Sequence, residues 1–314
     1  MTPVYKSEKS NESNYWNWNG FKIFWNVKGK ENRQPLIMLH GFGASSKHWR
    51  NNSKYFAKKG YSVYSIDLIG FGKSAQPGIR EIGKLDNGVW CNQVNDFIHQ
   101  VIRPKNSNKI ILIGNSLGSL VALTCAVYLK NEILTVIASP LPDPLIIKKE
   151  SKFISIFEKF KIKFVKIFFR ICPLEFILFL INKLGIIKIG LNSAYCKKDH
   201  IDQELINIIR MPVLRKTAAR SLRAMCIGMS TRRYQLKASY LLEQLSHSQK
   251  KIPFLLLWGE KDNFVPLFFG KKIANHHRWL ELKVIPNSGH CVHDEDPSLF
   301  NKISHEWIRD LKTI

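Results

Sequence analysis

The sequence predicts an α/β protein with a mostly parallel central sheet, helices on both of its faces and a helical cap inserted after strand 6. Three observations predict this fold class. Short apolar stretches alternate with stretches of helical periodicity, which is typical of parallel sheets covered on both faces. One apolar stretch, at residues 110–114, runs directly into a glycine-bracketed turn and a helical stretch. The alternation stops between about residues 140 and 251, where the pattern is helical and no regular strand is predicted.

The predicted bounds of each strand and helix follow from the apolar and helical stretches of this alternation. Residues 1–14 are polar and predict a flexible tail. Strands are predicted at 22–26, 36–40, 62–67, 110–114, 134–139, 254–259 and 282–285. Helices are predicted at 46–58, 90–101, 116–129, 267–275 and 297–311. The expected domains are a core at residues 15–140 and 251–314 and a helical cap at 141–250, inserted after the strand that ends at Ser139.

The composition is that of a globular protein in every respect but charge. At 314 residues, the chain is long enough for one large α/β domain with an insertion, or for two domains. Its net charge of +24 favours anionic surfaces as neighbours, unless it reflects a general bias of the composition toward Lys, Ile and Asn. No zinc-finger spacing or RNA-recognition signature accompanies this charge, so no nucleic-acid partner is expected.

The cysteines and the N-terminal residues bear on the compartment. The six cysteines are scattered without a C-x-x-C pair, which predicts neither a disulfide framework nor a structural zinc site. Residues 1–14 lack the apolar core of a signal peptide. We therefore expect a reducing compartment, the cytoplasm.

The segment Gly114-Asn115-Ser116-Leu117-Gly118 has the pattern of a nucleophile elbow, because it follows a predicted strand and precedes a predicted helix. Side chains at 114 or 118 are expected to collide with the neighbouring strand or helix. The turn raises the Ser116 hydroxyl above the sheet and leaves the Leu117 N–H at a helix N-terminus, where it can face a developing oxyanion. The glycine-bracketed segment at 40–43 predicts the N–H of Phe42 as a second donor.

Two further strand ends complete a candidate catalytic group. Asp262 follows the strand at 254–259, and His290 follows the strand at 282–285. The chain order Ser116, Asp262, His290 is that of a serine–histidine–acid triad on this topology. In such a triad the imidazole takes the serine proton, while the carboxylate fixes the imidazole tautomer and stabilises its charged form.

Two alternatives stay open at this point. Asp143, in a proline-rich segment after the strand at 134–139, is the alternative acid, although its prolines also suit an entry loop to the cap. The segment His290-Cys-Val-His293-Asp294 has a spacing that suits two metal ligands on a helix, but no further ligand cluster accompanies it. We therefore expect no metal and no cofactor.

Taken together, these motifs resemble the α/β-hydrolase superfamily from residue 15 to the end of the chain. The matching segments are His40-Gly-Phe-Gly, the segment Asp-Leu-Ile-Gly-Phe-Gly-Lys-Ser at 67–74, the elbow, Trp-Gly-Glu-Lys-Asp at 258–262 and Gly289-His290. The resemblance is to the cap-bearing branch that includes haloalkane dehalogenases and epoxide hydrolases. Those two carry an aspartate nucleophile, and the dehalogenases follow it with a halide-binding tryptophan, whereas this chain has Ser116-Leu117. Since a serine alkoxide suits acyl transfer, the resemblance implies hydrolysis of a carboxylic ester.

The chain is also similar to the chlorophyll dephytylase and pheophytinase group of plants and cyanobacteria. The segments that carry this likeness are 16–20, 40–50, 64–72 and the elbow. The resemblance implies a lipophilic ester as the substrate, such as the phytyl ester of chlorophyll or pheophytin, and a place at the periphery of the thylakoid membrane. Two alternatives remain: a C–C bond hydrolase or lyase that uses the same triad, and a non-catalytic receptor on the same fold.

The predicted cap carries much of the basic charge. Residues 145–235 contain 19 Lys or Arg against 6 Asp or Glu, a net +13 of the total +24. At 100° per residue, one stripe of the first cap helix holds Lys152, Lys159, Lys163, Lys166 and Arg170, and its apolar face holds Phe153, Phe157, Phe160, Phe164, Ile167 and Phe168. Such a face either packs over the catalytic opening with its lysines in water or rests on an anionic membrane. The two arrangements are compatible.

Overall fold

The computed structural model describes residues 14–311, except for 31, 33, 104, 105, 107 and 144–155. Eight strands form one sheet in the order β1-β2-β4-β3-β5-β6-β7-β8. The strands are β1 (Asn14–Trp18), β2 (Phe21–Lys28), β3 (Gln34–Leu39), β4 (Tyr61–Ile66), β5 (Ile110–Asn115), β6 (Ile133–Ser139), β7 (Phe254–Gly259) and β8 (Glu281–Ile285). The β1–β2 and β2–β4 pairs are antiparallel and the other five pairs are parallel. The predicted α/β fold class is confirmed.

Helices cover both faces of this sheet and form the insert between β6 and β7. The α-helices of the first half are α1 (Ser53–Lys58), α2 (Ile79–Ile82), α3 (Asn87–Phe97), α4 (Leu117–Tyr128), α5 (Ile156–Ile171), α6 (Leu174–Lys183) and α7 (Ile186–Ala194). The remaining ones are α8 (Gln203–Val213), α9 (Ala218–Ser230), α10 (Ala238–Ser246), α11 (Leu267–His276), α12 (Val292–Glu295) and α13 (Pro297–Asp310).

The sheet is buried on both faces, which the helical coverage requires. Every residue of β4, β5 and β7 is buried. Successive residues of a strand point to opposite faces, so Ile37 joins the apolar cluster on one face and Leu36 joins the cluster on the other. Near-continuous apolar runs are the expected sequence of such strands.

The strand β1 was not among the predicted strands. It pairs with β2 through a tight turn at Asn19 and Gly20, whose φ angles of 50° and 83° lie in the left-handed region. An Asn-Gly turn between two aromatic-rich stretches is a strong hairpin signal, and this signal was available in the sequence. With β1 included, the strand that ends at Ser139 is the sixth.

The predicted helix at 46–58 is divided in the structure. A 3₁₀ turn at Ser46–Trp49 precedes α1, which begins only at Ser53. The N–H of Ser46 donates to the buried carboxylate of Asp67 at 2.6 Å. This contact attaches the turn to the end of β4, and the helix starts afterwards.

The described elements between β6 and β7 are all helical. The helices α5 and α6 pack on α9, whereas α10 packs against α4 of the core. We propose that the cap consists of helices α5–α9 and that α10 belongs to the core. No helix in the described part of the chain has both the length and the apolarity needed to cross a bilayer, and the uncharged residues 110–129 divide between β5 and α4.

Candidate active site

Ser116 occupies the sharp turn between β5 and α4. Its φ of 51° and ψ of −112° lie in a region that non-glycine residues rarely adopt, and such strain is typical of functional positions. A methyl group on Gly118 would lie 2.0 Å from the carbonyl oxygen of Leu39, and one on Gly114 would lie 2.4 Å from the backbone of Gly118. Both positions need glycine for the reason expected from the sequence: α4 approaches the sheet too closely for a side chain.

Hydrogen bonds from two neighbouring polar residues fasten this turn. The hydroxyl of Ser119 donates to the carbonyl of Gly114 at 2.8 Å and accepts the N–H of Ser139 at 2.8 Å. The side-chain amide of Asn115 donates to the carbonyl of Ser139 at 2.7 Å and to that of His290 at 3.3 Å. Asn115 therefore connects the turn that carries Ser116 to the loop that carries His290.

His290 and Asp262 lie side by side at the ends of β8 and β7. The Nδ1 of His290 is 3.0 Å from Oδ2 and 3.2 Å from Oδ1 of Asp262, and both residues are buried. The Oδ1 of Asp262 also accepts the N–H groups of Phe264 and Val265 at 2.8 and 2.9 Å, which orient the carboxylate. An ionised carboxylate only accepts hydrogen bonds, so a neutral imidazole paired with it holds its proton on Nδ1 and keeps a lone pair on Nε2.

Asp143 lies elsewhere and has other partners. Its Oδ2 is 2.6 Å from Nη2 of Arg232 and accepts the N–H of Ala238 at 3.1 Å. This buried ion pair joins the segment after β6 to the segment that leads into α10. The structure therefore places Asp262, and not Asp143, beside His290.

The loop after β3 lies against the Ser116 turn. A methyl group on Gly41 would be 2.6 Å from the side-chain oxygen of Asn115, so the loop lies closely against that side chain. The buried His40 shapes this loop, because its Nδ1–H donates to the carbonyl of Gly41 at 2.8 Å and its Nε2 accepts the N–H of Leu68 at 3.1 Å. Burial lowers the pKa of His40, which keeps its ring neutral. Phe42, the predicted oxyanion donor, follows directly in this loop.

Ser116 lines an apolar cavity of about 350 Å³ between the core and the cap. The cavity is lined by Phe42, Ser116, Leu117, Pro142, Phe169, Met225, Cys226, Met229 and Ser230. None of these lining residues is charged. A larger cavity of about 820 Å³ lies between β2 and α8 and is lined by none of the predicted site residues. The chemistry at Ser116, rather than cavity size, identifies the candidate site.

The segment from His290 to Asp294 has a spacing that suits two metal ligands on a helix, but the structure gives His293 and Asp294 other partners. Asp294 accepts from Nε and Nη2 of Arg50 at 2.8 and 3.0 Å. The ring of His293 packs against those of His48 and Trp49, with centroids 4.5 and 4.3 Å apart. Burial lowers the pKa of His293 well below its usual range. The segment therefore forms part of a buried network.

Sequence reasoning missed this network, which attaches the cap to the His290 loop. The carboxylate of Glu295 accepts the N–H of Gly289 at 2.8 Å and those of Cys196 and Lys197 at 2.7 and 3.0 Å. The N–H of His290 in turn donates to the carbonyl of Ala194 at 2.7 Å. Three consecutive acidic residues at 294–296, close to a predicted catalytic histidine, were the available signal.

The other part of the network consists of the contacts that Tyr195, His48 and Arg50 make with Asp294 and with one another. The hydroxyl of Tyr195 donates to Oδ2 of Asp294 at 3.0 Å and accepts from Nε2 of His48 at 2.7 Å. Burial lowers the pKa of His48 to about 4, so this ring is neutral near neutral pH. The pKa of Arg50 is raised above its usual range by its bonds to Asp294 and Asp202, which outweigh the effect of burial.

The chain has relatives along most of its length. A mouse (Mus musculus) protein named epoxide hydrolase 4 is 23% identical over 93% of this chain and 77% of its own. The 2-hydroxy-6-oxononadienedioate/2-hydroxy-6-oxononatrienedioate hydrolase of Comamonas testosteroni is 26% identical over 92% of this chain and 91% of its own. The crystal structure of a thermophilic esterase from Thermogutta terrifontis shares the fold, with a TM-score of 0.67, 19% identity and coverage of 93% of this chain and 94% of that one.

The family assignment follows from a match that covers most of the core. The model of the alpha/beta hydrolase family matches residues 36–303, from β3 to within α13. This range includes the Ser116 turn, Asp262, His290 and the cap. The chain belongs to the alpha/beta hydrolase family.

Proposed function

We propose that this protein is a serine hydrolase that cleaves a carboxylic ester of a lipophilic substrate. One observation carries the proposal: the strained Ser116 turn is hydrogen-bonded through Asn115 to the loop whose His290 pairs with a buried carboxylate. A nucleophile, a base and an acid that orients the base are the groups that acyl transfer requires. In this proposal Asp262 is the acid of the triad.

The reaction proceeds through an acyl-enzyme. Oγ of Ser116 attacks the ester carbonyl carbon while Nε2 of His290 takes its proton, and Asp262 stabilises the imidazolium. The N–H groups of Phe42 and Leu117 donate to the oxyanion of the tetrahedral intermediate. The intermediate expels the alcohol, which takes the proton from His290. Water then attacks the acyl carbonyl with His290 as the base and releases the acid, without a cofactor.

The uncharged cavity supports a lipophilic substrate. Leu117, Phe169 and Met225 are among its apolar lining residues, and burying an apolar chain against them is favourable at about 25 cal/mol per Å². The resemblance to the dephytylase and pheophytinase group supports the phytyl ester of chlorophyll or pheophytin as the specific case. We propose that the protein works at the periphery of the membrane that holds such an ester, which is the thylakoid membrane for a phytyl ester.

A second candidate is the cleavage of a C–C bond beside a ketone. It is favoured by relatives such as the Comamonas enzyme, whose name gives a 2-hydroxy-6-oxo dicarboxylate as its substrate. Such substrates are anionic, and no Lys or Arg is found among the described residues that line the cavity. The ester hydrolase therefore ranks first. Epoxide opening ranks below both, because the epoxide hydrolases carry an aspartate nucleophile where this chain has Ser116. A non-catalytic receptor also ranks below both, because it does not require the strained turn at Ser116.

The first test compares the wild-type protein with Ser116→Ala. We expect a fluorophosphonate probe to label only the wild type, and Ser116→Ala to reduce ester turnover about 10⁴-fold or more. The substrates are p-nitrophenyl esters of short and long acids, chlorophyll a and pheophytin a in mild detergent, and a 2-hydroxy-6-oxo dienoate. Release of phytol supports the pigment ester, and turnover of the dienoate alone supports the second candidate. A wild type that neither reacts with the probe nor turns over any substrate would refute the proposed enzyme.

A further inference from the structure

Three consecutive cap helices, α5, α6 and α7, expose large apolar side chains. Six of them, between 50% and 76% exposed, define what we call the apolar face: Phe164, Phe168, Ile171, Phe176, Phe179 and Ile189. The α6 helix packs against α7, and α5 and α6 both pack on α9, so the face is carried by adjacent helices. Apolar exposure on this scale is typical of an interaction site.

The α5 helix shows two different apolar surfaces. Phe164, Phe168 and Ile171 are spaced three and four residues apart and are exposed, whereas the neighbouring Phe169 lines the Ser116 cavity. Among the described residues, none of the predicted apolar face, which includes Phe164, Ile167 and Phe168, lines the cavity, whereas Phe169, which was not predicted for this face, does. Of the residues predicted for the two sides of this helix, Lys152 and Phe153 lie outside the described residues, and only the backbone of Phe157, Lys159 and Phe160 is described.

The apolar face is held in place beside the cavity. Nε of Arg223, on α9, donates to the carbonyl of Phe169 at 2.8 Å, and its Nη2 donates to the carbonyl of Cys172 at 3.1 Å. Nη2 of Arg223 also lies 3.3 Å from the carboxylate of Glu175. The end of α5 and the start of α6 are therefore bonded to the helix that supplies Met225 and Met229 to the cavity.

Basic residues flank the apolar face. Lys163, Lys166 and Arg170 are exposed on the adjoining side of α5, and Nζ of Lys183 lies 5.0 Å from the ring centre of Phe179. Residues 163–190 contain five Lys or Arg and one acidic residue, Glu175. An exposed apolar stripe bordered by cations has the pattern of a helix that lies in the headgroup region of an anionic bilayer. The same five cations would repel a second copy of this face.

We propose that the apolar face docks on a membrane that contains anionic lipids. The apolar side chains enter the boundary between headgroups and acyl chains, and the flanking Lys and Arg contact the lipid phosphates. In this orientation a lipophilic ester reaches the cavity from the bilayer along α5. This last step rests on the proposed function, whereas the docking itself does not.

The test is flotation of the full chain with phosphatidylcholine vesicles, with and without phosphatidylglycerol. We expect binding that requires phosphatidylglycerol and falls as salt is added. Replacing Phe164→Ser and Phe168→Ser should weaken the partition about tenfold, because two apolar anchors are lost. Replacing Lys163→Gln and Lys166→Gln should weaken the binding that depends on phosphatidylglycerol.

The matched control is Tyr128→Ser with Lys130→Gln. Tyr128 is 52% exposed and Lys130 is exposed, but both lie at the end of α4 remote from Ser116. This variant should float like the wild type. Failure of the wild type to float at low salt, or flotation of both α5 variants at the wild-type level, would overturn the proposal. So would a wild-type dimer that Phe164→Ser and Phe168→Ser convert to a monomer without any vesicle binding.

A separate measurement distinguishes docking from catalysis. Ser116→Ala should float like the wild type, since docking needs no turnover. The α5 variants should hydrolyse a short, soluble p-nitrophenyl ester at the wild-type rate. Flotation without any esterase activity would leave the docking proposal intact and refute the proposed function. Esterase activity without flotation would leave the proposed function intact and refute the docking proposal.

Discussion

The proposed chemistry depends on a few side chains whose surroundings restrict them to one arrangement. Ser116 keeps a backbone conformation that costs about 1–3 kcal/mol for a non-glycine residue. The bonds of Ser119 and Asn115 to the ends of β5 and β6 offset this strain. The carboxylate of Asp262 is oriented by two backbone N–H groups and lies 3.0 Å from Nδ1 of His290. The fold itself therefore positions the Ser116 turn and the Asp262 carboxylate.

Two aspartate variants test which carboxylate acts in the triad. Asp262→Asn should reduce kcat about 10⁴-fold, because the amide cannot hold the imidazole in the tautomer that accepts the serine proton. Asp143→Asn should leave kcat near the wild-type value and lower the unfolding midpoint, since Arg232 loses its buried partner. Steady-state kinetics and urea unfolding of both variants check this. The opposite pattern would assign the role to Asp143.

His48 should make stability depend on pH. Its pKa of about 4 in the folded protein lies below the ordinary value of 6.5, so the unfolded chain binds the proton more tightly. Stability contributed by the neutral ring is complete above pH 6.5 and falls as the pH drops toward 4. Between pH 6.5 and 5, His48 should account for about 1.5 kcal/mol of lost unfolding free energy.

The measurement is urea unfolding of the wild type and of His48→Gln across this pH range. The variant should lose less stability than the wild type on acidification. The range lies above the ordinary pKa values of carboxylates, which keeps the contribution of acidic residues small. Equal pH slopes for the two proteins would show that His48 does not contribute.

At the scale of elements, close backbone packing determines where the helices lie. The α4 helix begins at the Ser116 turn and packs against β5 and β6, and it approaches β3 so closely that the backbone of Gly118 touches that of Leu39. The cap helix α7 has no such constraint, because Gly190 has nothing within 4 Å of the position its Cβ would take. The two helices therefore respond differently to the same substitution.

Replacing these glycines by alanine should have opposite effects. Gly118→Ala places a methyl group 2.0 Å from a carbonyl oxygen, so α4 must move and the unfolding free energy should fall by about 3 kcal/mol or more. Gly190→Ala lies within an exposed helix and should raise it by about 0.5–1 kcal/mol through higher helix propensity. Chemical denaturation of both variants tests this, and destabilisation by Gly190→Ala would contradict it.

At the scale of the whole molecule, a buried ionic network joins the cap to the core. Arg50, which follows the 3₁₀ turn at 46–49, pairs with Asp294 of α12, the helix that follows the His290 loop, and with Asp202 at the start of α8. Glu295 connects the same loop to the residues that follow α7. The position of His290, the proposed base, and the position of the cap are thus set by the same contacts.

Removing Arg50 tests this connection. Arg50→Leu leaves the carboxylate of Asp294, which is 1% exposed, without its cation and should lower the unfolding free energy by about 3–5 kcal/mol. Asp202→Asn removes a half-exposed partner and should cost about 1 kcal/mol or less. Arg50→Leu combined with Asp294→Leu should recover part of the loss. Equal effects of Arg50→Leu and Asp202→Asn would show that the network carries little energy.

The sequence by itself determined the order of the strands along the chain, seven of the eight strands, the cap after β6 and the glycine-bracketed turn at Ser116. The strands follow from local rules, because apolar periodicity acts within a few residues of the chain. The turn at Ser116 is recognisable from its sequence pattern, although the backbone contact that requires glycine at 118, with Leu39, joins distant parts of the chain. β1 was also readable from its Asn-Gly turn, although its alternating polar residues make it resemble a loop.

Only the tertiary structure decided which distant groups meet. Asp143 and Asp262 both follow strands in the sequence, and the order of β6, β7 and β8 in the sheet brings Asp262 to His290 while Arg232 binds Asp143. The exposure of Phe164 and Phe168, next to a partly buried Phe169 that lines the cavity, likewise depends on how α5 packs on α9. Contacts between residues far apart in the chain depend on packing, for which a single sequence contains no local signal.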